Sequence, residues 1–249
     1  MPRRYKAILF DLCGTVMPYH TDHIPIATIN GKTIRTTTPM LYAIFQEYNS
    51  VIPYEQFHHS FIKATERVNA LRESDGREVS SDTRFQLFFE LLGMKDQKYH
   101  AILKRLQATH LDRISGCLVF PASHRDSLVT LKRQYKMGLV TNFDDTDTVY
   151  KVLKREGIDY LFETVIISAE VGLRKPRGEI FHEACERLSI VPTEALFIGD
   201  SWESDVGGAK GVGMDAAWIN MDGLPIPDHG PSPDYMLADL TQIQKVLIS

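Results

Sequence analysis

Cysteine is scarce in this sequence: Cys13, Cys117 and Cys185 are the only three in 249 residues. They are too few and too scattered for a disulfide framework or a thiolate metal site, and they fit a reducing compartment. No apolar run approaches the roughly 18 residues that suggest a membrane span. The N-terminal stretch MPRRYKAILFDL starts basic, but Asp11 interrupts its apolar part and no small-residue cleavage site follows, so a secretory leader is not expected there. Positive charge is short as well. A net charge of -4 leaves no excess to neutralise phosphates along a nucleic acid. These absences give the expectation of a cytoplasmic chain that engages neither membrane nor nucleic acid.

The apolar residues that are present fall into two patterns. Tyr5 to Phe10 gives a first strand whose run Ala7 to Phe10 is continuously apolar, suited to a central parallel strand, and it ends on Asp11. From Met17 to about Thr37 the pattern breaks up around Pro, His and Thr, with one Asn-Gly turn signal at Asn30-Gly31. Four helical stretches follow. Thr38-Pro39 opens the first, and Tyr54 to Glu73 forms the second. Ser80 or Ser81 caps a third that ends at Gly93, and Gln97 to about Ile114 gives the fourth. The phenylalanine-rich face of the third helix reads as core. After Phe120-Pro121, helices alternate with short apolar strands: KMGLVTN, ETVIISAEV, ALFIGD and DAAWIN. Alternating units of this kind build an α/β fold with a doubly wound parallel sheet. The four helices are then an insertion directly after the first strand. Residues 1–16 and 117–249 form one expected domain, and residues 17–116 the other.

In such a sheet, chemistry gathers at the carboxyl ends of the strands. Asp11 follows the first strand, Thr141-Asn142 follow GLV, Lys175 lies in GLRKPRGEIF, and Asp200 and Asp205 follow ALFIG. A carboxylate nucleophile, a hydroxyl, an ammonium and two further acids suit phosphoryl transfer with a divalent cation, because hard carboxylate oxygens are what magnesium prefers. Asp144, Asp145 and Asp147 read instead as caps for the helix that follows.

In that order, DLCGT, VTN, RKP and GDSWESD resemble the four motifs of the haloacid dehalogenase superfamily over nearly the whole chain. The resemblance implies a Rossmann-like core with a four-helix cap inserted between the first and second motifs. It implies Asp11 as the nucleophile that becomes an aspartyl phosphate. Thr15, Thr141 and Asn142 would bind phosphate, and Lys175 would steady nucleophile and substrate. Mg2+ would be held by Asp11, Asp200, Asp205 and position 13, the last through its backbone carbonyl. The expected substrate is a small phosphorylated metabolite.

Cys13 departs from that pattern. Phosphatases of the family carry an aspartate there, which protonates the leaving oxygen and later activates water. A thiol is a weak donor, so the departure falls on proton transfer rather than on metal binding. His20 and His23 lie just beyond the loop as alternative acids. A dehalogenase-like displacement tolerates a non-acid at position 13, but that subclass usually lacks the acid present here as Asp200. A phosphonatase would need a cap lysine, for which Lys32 and Lys63 are candidates. A phosphate-binding relic of low activity is the third alternative.

Overall fold

The computed structural model describes residues 5–29 and 31–247. The chain separates into two compact units: residues up to Tyr19 together with Val119 onward, and His20–Leu118. These divisions fall two to three residues beyond the expected ones. Backbone bonding accounts for the shift. Cys117 O accepts from His20 N at 2.8 Å within the second unit, whereas Val119 N donates to Pro18 O at 3.2 Å within the first.

The first unit is built on six parallel strands. β1 (Ala7–Phe10), β4 (Lys136–Thr141), β5 (Thr164–Ile167), β6 (Ala195–Gly199), β7 (Asp215–Ile219) and β8 (Tyr235–Leu237) lie in the order β5-β4-β1-β6-β7-β8. Winding runs outward in both directions from β1, which places β1 beside the switch point where open α/β sheets hold their ligands. All four β1 residues are buried, as a strand covered on both faces requires. One face packs Leu9, Val140, Ile166 and Phe197 against Ile180, Phe181, Ala184 and Leu188 of α8 (Gly178–Leu188). Here α5 is Ala122–Lys132, α6 Thr146–Arg155 and α7 the single turn Ser168–Val171. Asp145 caps α6 by accepting from Thr148 N at 2.8 Å, as its acidic cluster suggested.

Three elements differ from the sequence reading. β1 starts at Ala7, because Tyr5 turns its hydroxyl to Asp215 (2.6 Å). The strand read through ETVIISAEV stops at Ile167, where Ser168 begins α7. The glycine-rich segment after the fourth motif does turn into a helix, a π-helical turn, Trp202–Gly207, followed by the short α9 (Gly208–Gly211). β8 carried no sequence signal: three residues with Met236 half-exposed show no alternation.

The second unit contains α1 (Thr38–Gln46), α2 (Tyr54–Asp75), α3 (Ser81–Leu91) and α4 (His100–Ser115), with Ser80 as the α3 cap. Phe45, Phe57, Phe61, Phe85, Phe88 and Phe89 interlock in its core, with ring centroids 4.9–6.4 Å apart in edge-on and tilted pairs. Before α1, the irregular stretch holds an antiparallel pair, β2 (Ile26–Ile29) with β3 (Lys32–Arg35). Neither face of this pair is buried, so no apolar alternation announced it. Asn30 of the turn signal lies outside the described residues, while Gly31 takes φ +74°. No helix among the described residues is long and apolar enough to cross a membrane.

Candidate active site

Asp11 leaves the buried end of β1 and is itself 5% exposed. Lys175, in the loop after α7, reaches it: Nζ lies 2.6 Å from Asp11 Oδ1 and 2.8 Å from Asp205 Oδ1, and donates to Val140 O at 2.8 Å. Two of the three ammonium protons go to hydrogen bonds, with Asp11 Oδ1 and Val140 O, and Asp205 Oδ1 is held as an ion pair. Asp205 is held on its other oxygen by Ser201 N at 2.9 Å. Asp11 Oδ2, by contrast, is buried with no hydrogen-bond partner.

Carboxylate oxygens of Asp11, Asp200 and Asp205 come within 4.8 Å of one another, the metal-type cluster found among the described residues; the Cys13 sulfur is not part of it. Two glycines make this approach possible. Gly14 takes φ +86°, and any Cβ on it would collide with the Asp200 carboxylate. A Cβ on Gly199 would run into the Asp205 side chain. The electrostatics follow from this crowding. Burial pushes the Asp11 carboxyl above its ordinary range and Lys175 pulls it back, while Asp205 and Asp200 add to the rise. Burial and the charge of Asp205 lift Asp200 to about 6. Lys175 loses by burial but gains more from Asp11 and Asp205, so its ammonium is held above the usual range. One cation among three converging carboxylates leaves an excess of negative charge, and a hard divalent ion fits that donor set.

The remaining candidates have these places. Thr141 is fully buried, its hydroxyl beside the Cys13 thiol and without an ordinary hydrogen-bond partner. Thr15 does not present a free hydroxyl for phosphate: it donates to Asp200 Oδ1 at 3.4 Å. The Asn142 carboxamide bonds the main chain of Lys175, with Oδ1 accepting from Lys175 N at 2.8 Å and Nδ2 donating to Lys175 O at 3.0 Å. Cys13 is half-buried, and burial together with the charges of Asp11 and Asp200 pushes its thiol up, so it stays protonated. His20 and His23 belong to the other unit, their rings stacked 5.7 Å apart.

Residues 5–213 match the sequence model of a family described as haloacid dehalogenase-like hydrolase. The chain belongs to that family. It is 34% identical to the glyceraldehyde 3-phosphate phosphatase of Pyrococcus furiosus, over 98% of this chain and 94% of the relative. The structure is similar to that of a HAD phosphatase from Thermococcus onnurineus, with a TM-score of 0.56, 28% identity and 97% of each chain covered. It also shares the fold of a 2-haloacid dehalogenase from Pseudomonas syringae, with a TM-score of 0.71 at 19% identity and 98% of each chain covered. The protein is therefore a haloacid dehalogenase-like hydrolase, and the strand-end motifs legible in its sequence are the ones that meet in its fold.

Sequence reasoning missed the groups that hold this hydrolase's site in place. Trp218 Nε1 donates to Asp200 O at 2.8 Å, and Ser201 supplies the amide on Asp205. An indole in the apolar run DAAWI was the available signal, since a buried indole N–H needs an acceptor.

Proposed function

We propose that this hydrolase is a magnesium-dependent phosphatase of a small phosphorylated metabolite, working through an aspartyl phosphate at Asp11. The observation that carries the reading is Asp11 itself. One of its oxygens is held by Lys175, the other is buried and unpartnered, and the carboxylate comes within 4.8 Å of two more. Asp11, Asp200 and Asp205 would hold the ion, with the backbone carbonyl of Cys13. When bound, magnesium supplies positive charge against the phosphoryl oxygens.

Asp11 Oδ2 attacks phosphorus, the bond from phosphorus to the leaving oxygen breaks, and an acyl phosphate forms on Asp11. Lys175 keeps Asp11 aimed and offsets charge on the transferring group, which the Thr141 hydroxyl also binds. Water then attacks the same phosphorus, releasing inorganic phosphate and regenerating the Asp11 carboxylate. Cys13 lends little acid–base help in either step, because its thiol is protonated and a weak donor. Residues up to Tyr19 and from Val119 form the catalytic core in this reading, His20–Leu118 the cap, and three free cysteines suit the cytoplasm. The phosphatase names of relatives such as that of Pyrococcus furiosus support the phosphate-ester substrate class.

The test is a screen of phosphomonoesters with purified chain and magnesium. Hydrolysis that disappears in Asp11→Asn supports the reading. Hydrolysis that survives Asp11→Asn, or total inactivity across the panel, overturns it.

A further inference from the structure

The transferring group needs Lys175 in one place, yet a lysine side chain turns about four bonds and has no intrinsic aim. Its ammonium is fixed at the tip by hydrogen bonds to Asp11 Oδ1 and Val140 O and by an ion pair with Asp205. Its root is fixed by Asn142. The carboxamide accepts from Lys175 N at 2.8 Å and donates to Lys175 O at 3.0 Å, pinning the main chain on both sides of the Lys175 α-carbon. Only one orientation of the amide satisfies both bonds, since the main-chain N–H donates and the carbonyl accepts.

Asn142 is anchored in turn. The next residue, Phe143, donates its N–H to Ser168 Oγ at 2.9 Å and accepts from Ser168 Oγ at 3.1 Å and from Ala169 N at 3.2 Å. Ser168 and Phe143 are both buried. A rigid path therefore runs from the end of β5 through the loop after β4 to the lysine.

We infer that the Asn142 carboxamide is a positioning group that sets Lys175, and not a contact of the transferring group. The inference rests on the reading of Asp11 and Lys175 as parts of the phosphatase site. Removing the carboxamide frees the root of Lys175, and misplacement of a reacting group by about 1 Å costs on the order of 10²-fold in rate. The cost falls on kcat, because Lys175 aims Asp11 for attack while the Thr141 hydroxyl and the carboxylates stay where they are.

The experiment uses the full chain with magnesium and para-nitrophenyl phosphate, in wild type, Asn142→Ala, Lys175→Ala and the double variant. For Asn142→Ala we expect kcat to fall about 10²-fold, with KM and the inhibition constant of inorganic phosphate within about threefold of wild type. In the Lys175→Ala background, Asn142→Ala should cost nothing further, because the two act as one unit. A tenfold rise in KM and in the phosphate inhibition constant with kcat retained, or multiplicative losses in the double variant, overturns the proposal. A crystal structure of Asn142→Ala decides independently of activity. Lys175 Nζ displaced beyond hydrogen-bond reach of Asp11 supports the positioning role, and Nζ unmoved overturns it. Wild-type inactivity would count against the phosphatase reading alone, and the crystallographic arm would still judge Asn142.

Discussion

Gly14 and Asp200 face each other so closely that no side chain fits between them. The pair joins the loop after β1 to the loop after β6, and it makes Gly14 necessary twice over: for its φ of +86° and for space. Gly14→Ala should therefore displace Asp200 as well as strain the backbone. We expect a stability loss of about 1–3 kcal/mol and a fall in activity with weakened magnesium dependence. Denaturant unfolding and a magnesium titration of activity check both. An unchanged magnesium response would show that Asp200 keeps its place.

Magnesium should raise the melting temperature of the wild-type chain. An ion that binds only the folded state stabilises it by about 2.7 kcal/mol at a hundredfold excess over its dissociation constant. Three carboxylates in mutual repulsion, Asp11 lifted to about 7 and Asp200 to about 6, should take the ion less and less readily as the pH falls below neutral. The sign follows from protonation: below about pH 6, Asp200 takes up a proton and loses its charge. Asp200→Asn should abolish the thermal shift. A shift that persists in that variant would place the ion elsewhere.

Cys13→Asp should restore acid–base help in proportion to how badly the leaving group needs it. General acid–base catalysis is worth about 10²–10⁴-fold. We expect kcat on an alkyl phosphate to rise at least about tenfold, with little change for para-nitrophenyl phosphate, whose phenolate leaves without a proton. Equal effects on both substrates would mean that position 13 acts through the fold of the loop.

In the helical unit, His110 is buried between Phe61 and Phe85. Its Nδ1 is 2.8 Å from Thr37 Oγ1 and its Nε2 is 3.3 Å from Arg84 Nη1. The guanidinium can only donate, so Nε2 accepts and Nδ1 carries the proton. Burial, and then the charge of Arg84, lowers its pKa to about 3. Below the ordinary value of 6.5 the unfolded chain gains a proton that the folded chain refuses, so stability falls with pH between 6.5 and about 3. At pH 5 the loss is about 2 kcal/mol. His110→Gln should flatten this part of a stability–pH profile, and an unchanged slope would assign it to other groups.

Much of the site was legible in the chain because burial imposes local periodicity. The run Ala7 to Phe10 showed a central strand and the stripe Phe85, Phe88, Phe89 showed a helix core. The order Asp11, Thr141, Lys175, Asp200 reported strand ends on one sheet. These are properties of neighbouring residues. The hairpin β2–β3 escaped notice because none of its residues is buried, and the strand β8 because three residues are too few to show an alternation.

What each polar atom touches was decided only by the tertiary structure. The resemblance assigned Thr15 and Asn142 to phosphate; in the fold Thr15 donates to Asp200, 185 residues away, and the Asn142 carboxamide bonds Lys175, 33 residues away. Lys175 meets Asp11 across 164 residues. Hydrogen bonds need partners within about 3 Å in the right direction, and no local pattern encodes that. The sequence alone determined which chemistry gathers at the edge of the sheet. The packing of β1, β4 and β6 decided which side chains are left to perform it and which hold the others still.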